Sequence, residues 1–285
     1  MRRFWSFALF FFLLLLAGCT PSPAEEPTGP STGGTDTLPT LTTVIFSIGK
    51  ADAILLHNEA HAILIDAGET EDATEVLAYL NRQKITHLDA LIVTHYDKDH
   101  VGGAAGILHD ISVGAVYGTY PSKESEEYTL YAEALAKVGL SATVVRQTTT
   151  LQYGDIHLTI YPPEKTSYER KQSNNSSLVI HMTYGETKYL FAGDAQEERV
   201  SELLSLGEGL DCDLLKAPYH GNVVENLPAL LQITTPQYAV VTCSDKNPAA
   251  AEKVAALQEA GARVFLTRMG NVYAKSDGKT LEVMH

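Results

Sequence analysis

Residues 91–103 read LIVTHYDKDHVGG. The first part is mostly apolar and β-branched, the pattern of a buried strand. After Thr94 the character changes abruptly to His95, Tyr96, Asp97, Lys98, Asp99 and His100. Four imidazole or carboxylate groups therefore sit on a turn directly after a strand. Val101-Gly102-Gly103 then lets the backbone turn tightly into a helix. Loops at strand ends, held by a rigid sheet, are where sites are built. Imidazole and carboxylate are ligands suited to zinc, manganese and iron.

Outward from this stretch, short apolar strands alternate with helical patterns. LTTVIFSI, AILLHN and HAILIDAG (from Leu41) read as three consecutive strands. EDATEVLAYLNR (71–82) has apolar residues at helical spacing. GGAAGILHD reads as a short helix, VGAVYGTY as a strand and ESEEYTLYAEALAKVGL as an amphipathic helix ending at Gly139. The second half repeats the plan. ATVVR, TLQY and IHLTIYP are strands, and SSLVIHMTY and TKYLFAG form a hairpin across Gly185-Glu186. QEERVSELLSL is a helix, DLLKAP and QYAVVTCS are strands, and AAAEKVAALQEAG is a helix. RVFLT, NVYAKS and KTLEVM close the chain as strands. Two halves of this kind predict an α/β fold, a four-layer α/β/β/α sandwich. Residues 162–176 carry no secondary-structure signal and read as a long loop. Its Lys165, Arg170 and Lys171 are candidates to meet an anionic substrate.

The chain of 285 residues has a formal charge of −14, which disfavours non-specific nucleic-acid binding through Lys and Arg. Bound cations change the local field, so a nuclease is not excluded. At the start, Arg2 and Arg3 precede an apolar run ending in Leu16-Ala17-Gly18-Cys19. Residues 1–18 are read as a signal peptide. Residues 19–41, rich in Pro, Gly, Ser and Thr, are read as a flexible linker, and residues 42–285 as one folded domain. Cys212 and Cys243 sit beside apolar runs, and either a disulfide or two buried thiols fits that placement. No G-x-S-x-G elbow occurs in the chain.

The turn H-x-D-x-D-H at 95–100 resembles the H-x-H-x-D-H signature of the metallo-β-lactamase superfamily, with Asp97 in place of the second His. SIGKADAILL, LIDAG, NNSSLVI, YLFAGD, LLKAPYHG and GARVFLTRMGNVYAKSDG extend the resemblance from about Val44 to Val283. Within the superfamily it is most similar to the corresponding domain of bacterial competence (DNA-uptake) proteins and their stand-alone relatives. The Leu-Ala-Gly-Cys ending resembles a lipobox, which implies lipidation of Cys19 and an extracytoplasmic, membrane-anchored lipoprotein.

Carried over by position, the resemblance implies that His95 and Asp97 hold a first divalent cation. Asp99 and His100 would hold a second, Asp194 would bridge both, and His220 would complete the second site. The family's third His for the first cation is not matched by His109, His157 or His181. Asn174, Asn175 or Ser176 stands at its place, which makes that half oxygen-rich and shifts preference from zinc toward manganese or magnesium. The expectation is two ions, zinc or manganese. Asp194 is also a candidate N-cap for a helix over 195–205. Asp52 and Asp66 are expected to orient ligands rather than bind the cation. Lys216 and Tyr219 are candidates to stabilise charge or deliver a proton.

The implied chemistry is hydrolysis by a hydroxide activated between the cations and oriented by Asp97 or Asp99, with Asp194 as the third catalytic carboxylate. A phosphodiester or nucleic-acid substrate is favoured, and a lactone, thioester or β-lactam is the alternative. A second reading is a non-catalytic surface lipoprotein that keeps the fold for binding or sensing. No protein partner is implied.

Overall fold

A computed structural model describes residues 38–285. The leader over 1–18, Cys19 and most of the segment read as linker lie outside the described residues. Leu38, inside that segment, is packed: its N–H donates to Asp277 O at 2.8 Å. Leu41 is already fully buried in the first strand.

The first sheet is seeded by a meander, β1 (Leu41–Ile45), β2 (Ala53–His57) and β3 (Ala62–Ala67). Register is set by pairs such as Val44 with Leu55 and Leu55 with Leu64. The strands that follow, β4 (His87–Val93), β5 (Ser112–Gly118) and β6 (Ala142–Val144), run parallel to β3. Parallel pairing needs a crossover, and helices supply it. These are α1 (Ala73–Arg82), then α2 (Lys98–Val101) with α3 (Ala104–Asp110), then α4 (Glu126–Lys137). In α1 the buried Val76, Tyr79 and Leu80 recur at helical spacing. Ser125 caps α4, its hydroxyl accepting from Tyr128 N at 3.1 Å.

The second sheet repeats the design. β7 (Thr149–Tyr153), β8 (Ile156–Tyr161), β9 (Val179–Tyr184) and β10 (Thr187–Phe191) are antiparallel. β11 (Leu214–Lys216), β12 (Tyr238–Val241) and β13 (Arg263–Leu266) continue parallel to β10. A short helix, α5 (Gln172–Asn175), precedes β9. The crossovers carry α6 (Glu197–Leu204), α7 (Leu227–Thr234) and α8 (Ala251–Glu259).

Side-chain alternation makes the layers. In β3, Ile63 and Ile65 point into the core between the sheets, where they meet Ile160, Ile180 and Phe191. Leu64, between them, points the other way onto Val76, Leu80 and Ile107 of the helices. In the second sheet Tyr189 and Phe191 face inward, while Leu190 packs under Val200, Leu203 and Leu230. Strands buried on both faces read as continuous apolar runs for this reason. The result is the α/β/β/α sandwich.

Three details differ from the sequence reading. The last strands, β14 (Val272–Ser276) and β15 (Leu281–Met284), do not stay with the second half. β14 pairs antiparallel with β1, so the chain's end closes the edge of the first sheet. Helix α7 and the single turn of α5 had no separate signal. Asp194 is not a helix cap: α6 begins at Glu197 with Gln196 at its N-cap position.

Candidate metal centre

Sheet order brings the C-terminal ends of the parallel strands to one rim, the usual place for a site in such sheets. His95 follows β4, Asp194 follows β10, His220 follows β11 and Thr242 follows β12, while Asp66 lies at the end of β3. Two of these positions, and Tyr219 beside His220, need unusual backbone. Asp66, Tyr219 and His220 have φ of 56°, 55° and 50°. Left-handed conformations at non-glycine residues carry strain and cluster at functional sites.

The side chains converge. His100 Nε2 lies 3.2 Å from His220 Nε2 and 3.3 Å from Asp194 Oδ1. His220 Nε2 lies 3.1 Å from Asp194 Oδ1 and 3.4 Å from Asp99 Oδ2. Ligand atoms around a tetrahedral ion with bonds of about 2.0–2.1 Å are roughly 3.3–3.4 Å apart. His100, Asp194 and His220 thus stand at the spacing of ligands to one divalent cation, and Asp99 approaches the same place from the side of His220. Asp194 Oδ1 is buried and has no hydrogen-bond partner, as a ligand atom would. The site fits a cation by spacing, donor chemistry and orphaned acceptor.

The outward nitrogens are fixed from behind. His100 Nδ1 is 2.7 Å from Asp66 Oδ2, and Asp66 accepts from Thr94 N–H and Oγ–H, each at 2.7 Å. His220 Nδ1 is 2.8 Å from Thr242 Oγ1, which donates to Asp52 Oδ1 at 2.8 Å. A carboxylate behind a ligating imidazole sets its tautomer and orientation. Asp52 contributes an atom to the cluster with His100, Asp194 and His220, all within 4.8 Å of one another. Its oxygens are nevertheless engaged by Thr242, by His220 Nδ1 at 3.2 Å and by an ion pair with Lys216. Asp52 therefore backs His220 instead of facing the cation, as Asp66 backs His100.

Electrostatics are strong because the groups are buried. Burial opposes charge on His100, but Asp194 and Asp66 outweigh it and hold its pKa well above the ordinary histidine range. His220 is likewise penalised by burial but pushed up to about 9 by Asp194 and Asp52. Burial would raise Asp194, yet His220 and His100 hold it well below the carboxylate range. Asp99 is lowered to about 2, its burial outweighed by His220 and His100.

The other half differs. His95 Nε2 is 3.5 Å from Asp97 Oδ2 and, like Asp194 Oδ1, has no hydrogen-bond partner. His95 Nδ1 lies 3.2 Å from Thr94 Oγ1 and 3.3 Å from Ser177 Oγ. Asp97 Oδ1 is ion-paired with Lys123. Burial would raise the Asp97 carboxyl, but His95 and Lys123 hold it well below the usual range. Of the three residues standing for the family's third His, only Asn174 reaches the site, donating from Nδ2 to Asp194 Oδ2 at 3.0 Å. Asn175 turns away to Arg170 O and to the N–H groups of Gln196 and Arg199. Ser176 turns back to Ser173 O at 2.6 Å. Both follow from the turn of α5, which exposes one side chain to the rim and folds its neighbours under.

Lys216 is corrected too. It is fully buried, paired with Asp52 and bonded to Gly193 O at 3.1 Å, so it is an internal counter-charge and not a proton donor to substrate. Tyr219 is only partly buried, and Lys50 Nζ lies 5.6 Å from its ring centroid. In the 162–176 loop, Lys165 pairs with Glu198 at 3.7 Å and lies over the Tyr168 ring. Cys212 and Cys243 are free and buried. Ser177, Thr242 and Lys123 escaped sequence reasoning. Of these, Ser177 is the last residue of the flagged NNSS segment.

An α/β/β/α sandwich with an Asp/His cluster at its rim defines a metal-binding hydrolase fold. The chain belongs to the metallo-β-lactamase superfamily, whose description it matches over residues 48–244. It is 28% identical over 223 residues to ComE operon protein 3 of Bacillus subtilis, covering 71% of this chain and 28% of that protein. It is 26% identical over 217 residues to Recombination protein 2 of Haemophilus influenzae, covering 74% of this chain and 25% of the relative. The chain thus spans about a quarter of the length of these curated relatives. Among solved structures, the metallo-β-lactamase fold protein YhfI of Bacillus subtilis superimposes with a TM-score of 0.58 at 14% identity. It covers 84% of this chain and all of YhfI. Among the described residues, no helix is long and apolar enough to cross a membrane.

Proposed function

We propose that the protein is a divalent-cation-dependent hydrolase of phosphodiester or nucleic-acid substrates, tethered outside the cytoplasm through Cys19. The observation that carries the catalytic reading is the convergence of His100 Nε2, Asp194 Oδ1 and Asp99 Oδ2 on His220 Nε2, at 3.2, 3.1 and 3.4 Å. A divalent cation bound there polarises a substrate oxygen and lowers the pKa of water. Asp66 and the Thr242–Asp52 pair hold the two imidazoles in register. Asp97 and Asp99 orient the attacking water. Their lowered pKa makes them acceptors that stay ionised rather than proton stores. Zinc and manganese both suit the mixed nitrogen and oxygen donors.

Two ammonium groups favour an anionic substrate. Lys50 Nζ is 3.6 Å from Asp99 Oδ2, and Lys123 pairs with Asp97, so cations flank the site in an otherwise acidic protein. The name of one relative, Recombination protein 2, points the same way. The test is turnover of bis-p-nitrophenyl phosphate, single-stranded DNA and nitrocefin with manganese or zinc. Metal-dependent turnover of the first two, abolished in Asp194→Ala, supports the reading. Nitrocefin turnover alone redirects it to the β-lactam class. The tether is checked by membrane fractionation of wild type against Cys19→Ser, which should release the protein. The Lys123 contact on Asp97 favours a second reading, a binding or sensing protein. Cation binding with no turnover on any substrate would establish it.

A further inference from the structure

The first half of the site is where this chain departs from its family's signature, and the departure has a chemical consequence. Asp97 replaces an imidazole, and no third His stands beside it. The remaining described histidines are engaged or exposed elsewhere, His181 on Asp211 O at 2.9 Å and His109 beside Asp110 at the surface. Meanwhile Lys123 places a fixed positive charge on Asp97. We infer that Lys123 takes the place of the first cation, so the chain holds one divalent ion, at Asp99, His100, Asp194 and His220, and not two.

The segment that carries Lys123 is built for this position. Thr119 O accepts from the buried Tyr96 hydroxyl at 2.9 Å, directly behind the metal turn. Tyr120 donates its hydroxyl to Lys165 O at 2.9 Å and accepts from Gln172 Nε2 at 3.3 Å. Ser122 Oγ lies 3.3 Å from Ser176 Oγ. Three anchors within four residues, two of them on the segment that also presents Asn174, hold Lys123 over Asp97. An ammonium and a divalent ion cannot share one carboxylate without strong repulsion, because like charges in a partly buried site are poorly screened. A first ion would draw on His95 Nε2, on Asp97 Oδ2 at 3.5 Å from it and on the shared Asp194, whose Oδ2 already accepts from Asn174 Nδ2. With Lys123 on its other oxygen, Asp97 is the weakened member of that set, and without it too few ligands remain for a four-coordinate site. Lys123 acts here as a specificity residue: it sets the cation count and leaves a monovalent charge that an anionic group of the substrate can meet.

The inference rests on the cation centre proposed above, and the experiment separates the two. The purified full chain is stripped with a chelator, equilibrated with manganese and analysed for metal per chain. Electron paramagnetic resonance then asks whether the ions are magnetically coupled. Expected are one uncoupled ion in wild type, one in Lys123→Arg and one in Asp97→Ala. Lys123→Ala should take two, with a coupled signal. Circular dichroism verifies that the variants, altered at partly exposed positions, are folded. Two ions in wild type, or one in Lys123→Ala, overturns the inference. No bound ion in any folded form overturns the cation centre itself.

Discussion

Replacing Lys216 by Met removes the lysine ammonium that pairs with the Asp52 carboxylate, while leaving a side chain of similar length in the same space. Lys216 and Asp52 are 0% and 1% exposed, so the carboxylate loses its partner with no access to water. Breaking a buried pair from one side typically costs about 3–5 kcal/mol. His220 Nδ1, 3.2 Å from Asp52, remains as a second partner while it carries a proton, which places the expected loss near 3 kcal/mol at pH 7. For a body of this size each kcal/mol moves the midpoint by about 2–4 °C, giving a drop of roughly 6–12 °C. The assay is thermal unfolding followed by circular dichroism in the presence of chelator. The double variant Asp52→Asn/Lys216→Met deletes both charges and should recover at least half of the drop. A drop below about 2 °C would refute the reasoning. So would a double variant no more stable than the single one, because the penalty would then not come from an orphaned charge.

Three further outcomes follow from the same geometry. Asp66→Asn keeps the shape but weakens the acceptor behind His100, and should lower divalent-cation affinity about 10–100-fold by isothermal titration. Because the pKa of His220 is pushed up to about 9, protons compete with the cation for its Nε2 at neutral pH. Apparent affinity should therefore rise as pH goes from 7 to 9 and level off above, and a flat profile would contradict this. Gly103→Ala would put a Cβ 2.2 Å from the Ala67 carbonyl oxygen, a backbone atom that cannot yield, and should cost about 3 kcal/mol in chemical denaturation. Gly209→Ala, with open space around the new methyl, should be neutral.

Most of the sandwich was legible because its strands are buried on both faces and its helices are amphipathic. The residues that the structure gathers at the rim, the proposed ligands, could be picked out because they sit on turns directly after such strands. What the sequence hid depends on contacts between distant segments. NVYAKS reads as a strand wherever it pairs, and only the closed sheet shows that it runs beside β1. LPALLQIT is almost wholly apolar and so lacks the periodicity that marks a surface helix, although Leu227, Leu230 and Leu231 all turn out to be buried in α7. Lys216 looked reactive beside His220, yet the β11 register points it inward at Asp52. Thr242 carried no motif at all and matters because β12 lies next to β11, which sets its hydroxyl between His220 and Asp52.

The charges at the rim explain why one ion suits this site better than two. Asp52, Asp66 and Asp194 are buried carboxylates, and Lys216 is a buried ammonium paired with Asp52. When no cation is bound, the raised pKa of His100 and His220 lets each hold a proton, which keeps the cluster from stacking unbalanced negative charge. A divalent ion that binds there displaces protons from these imidazoles, which offsets part of the charge it brings. On the other side Asp97 has its charge met by Lys123, an ammonium tethered on the chain itself. A second divalent ion would have to eject the ammonium and add net positive charge beside the first. The two halves thus solve the same electrostatic problem by different means, an exchangeable proton pair in one and a tethered lysine in the other, and only the first is built to trade its charge for metal.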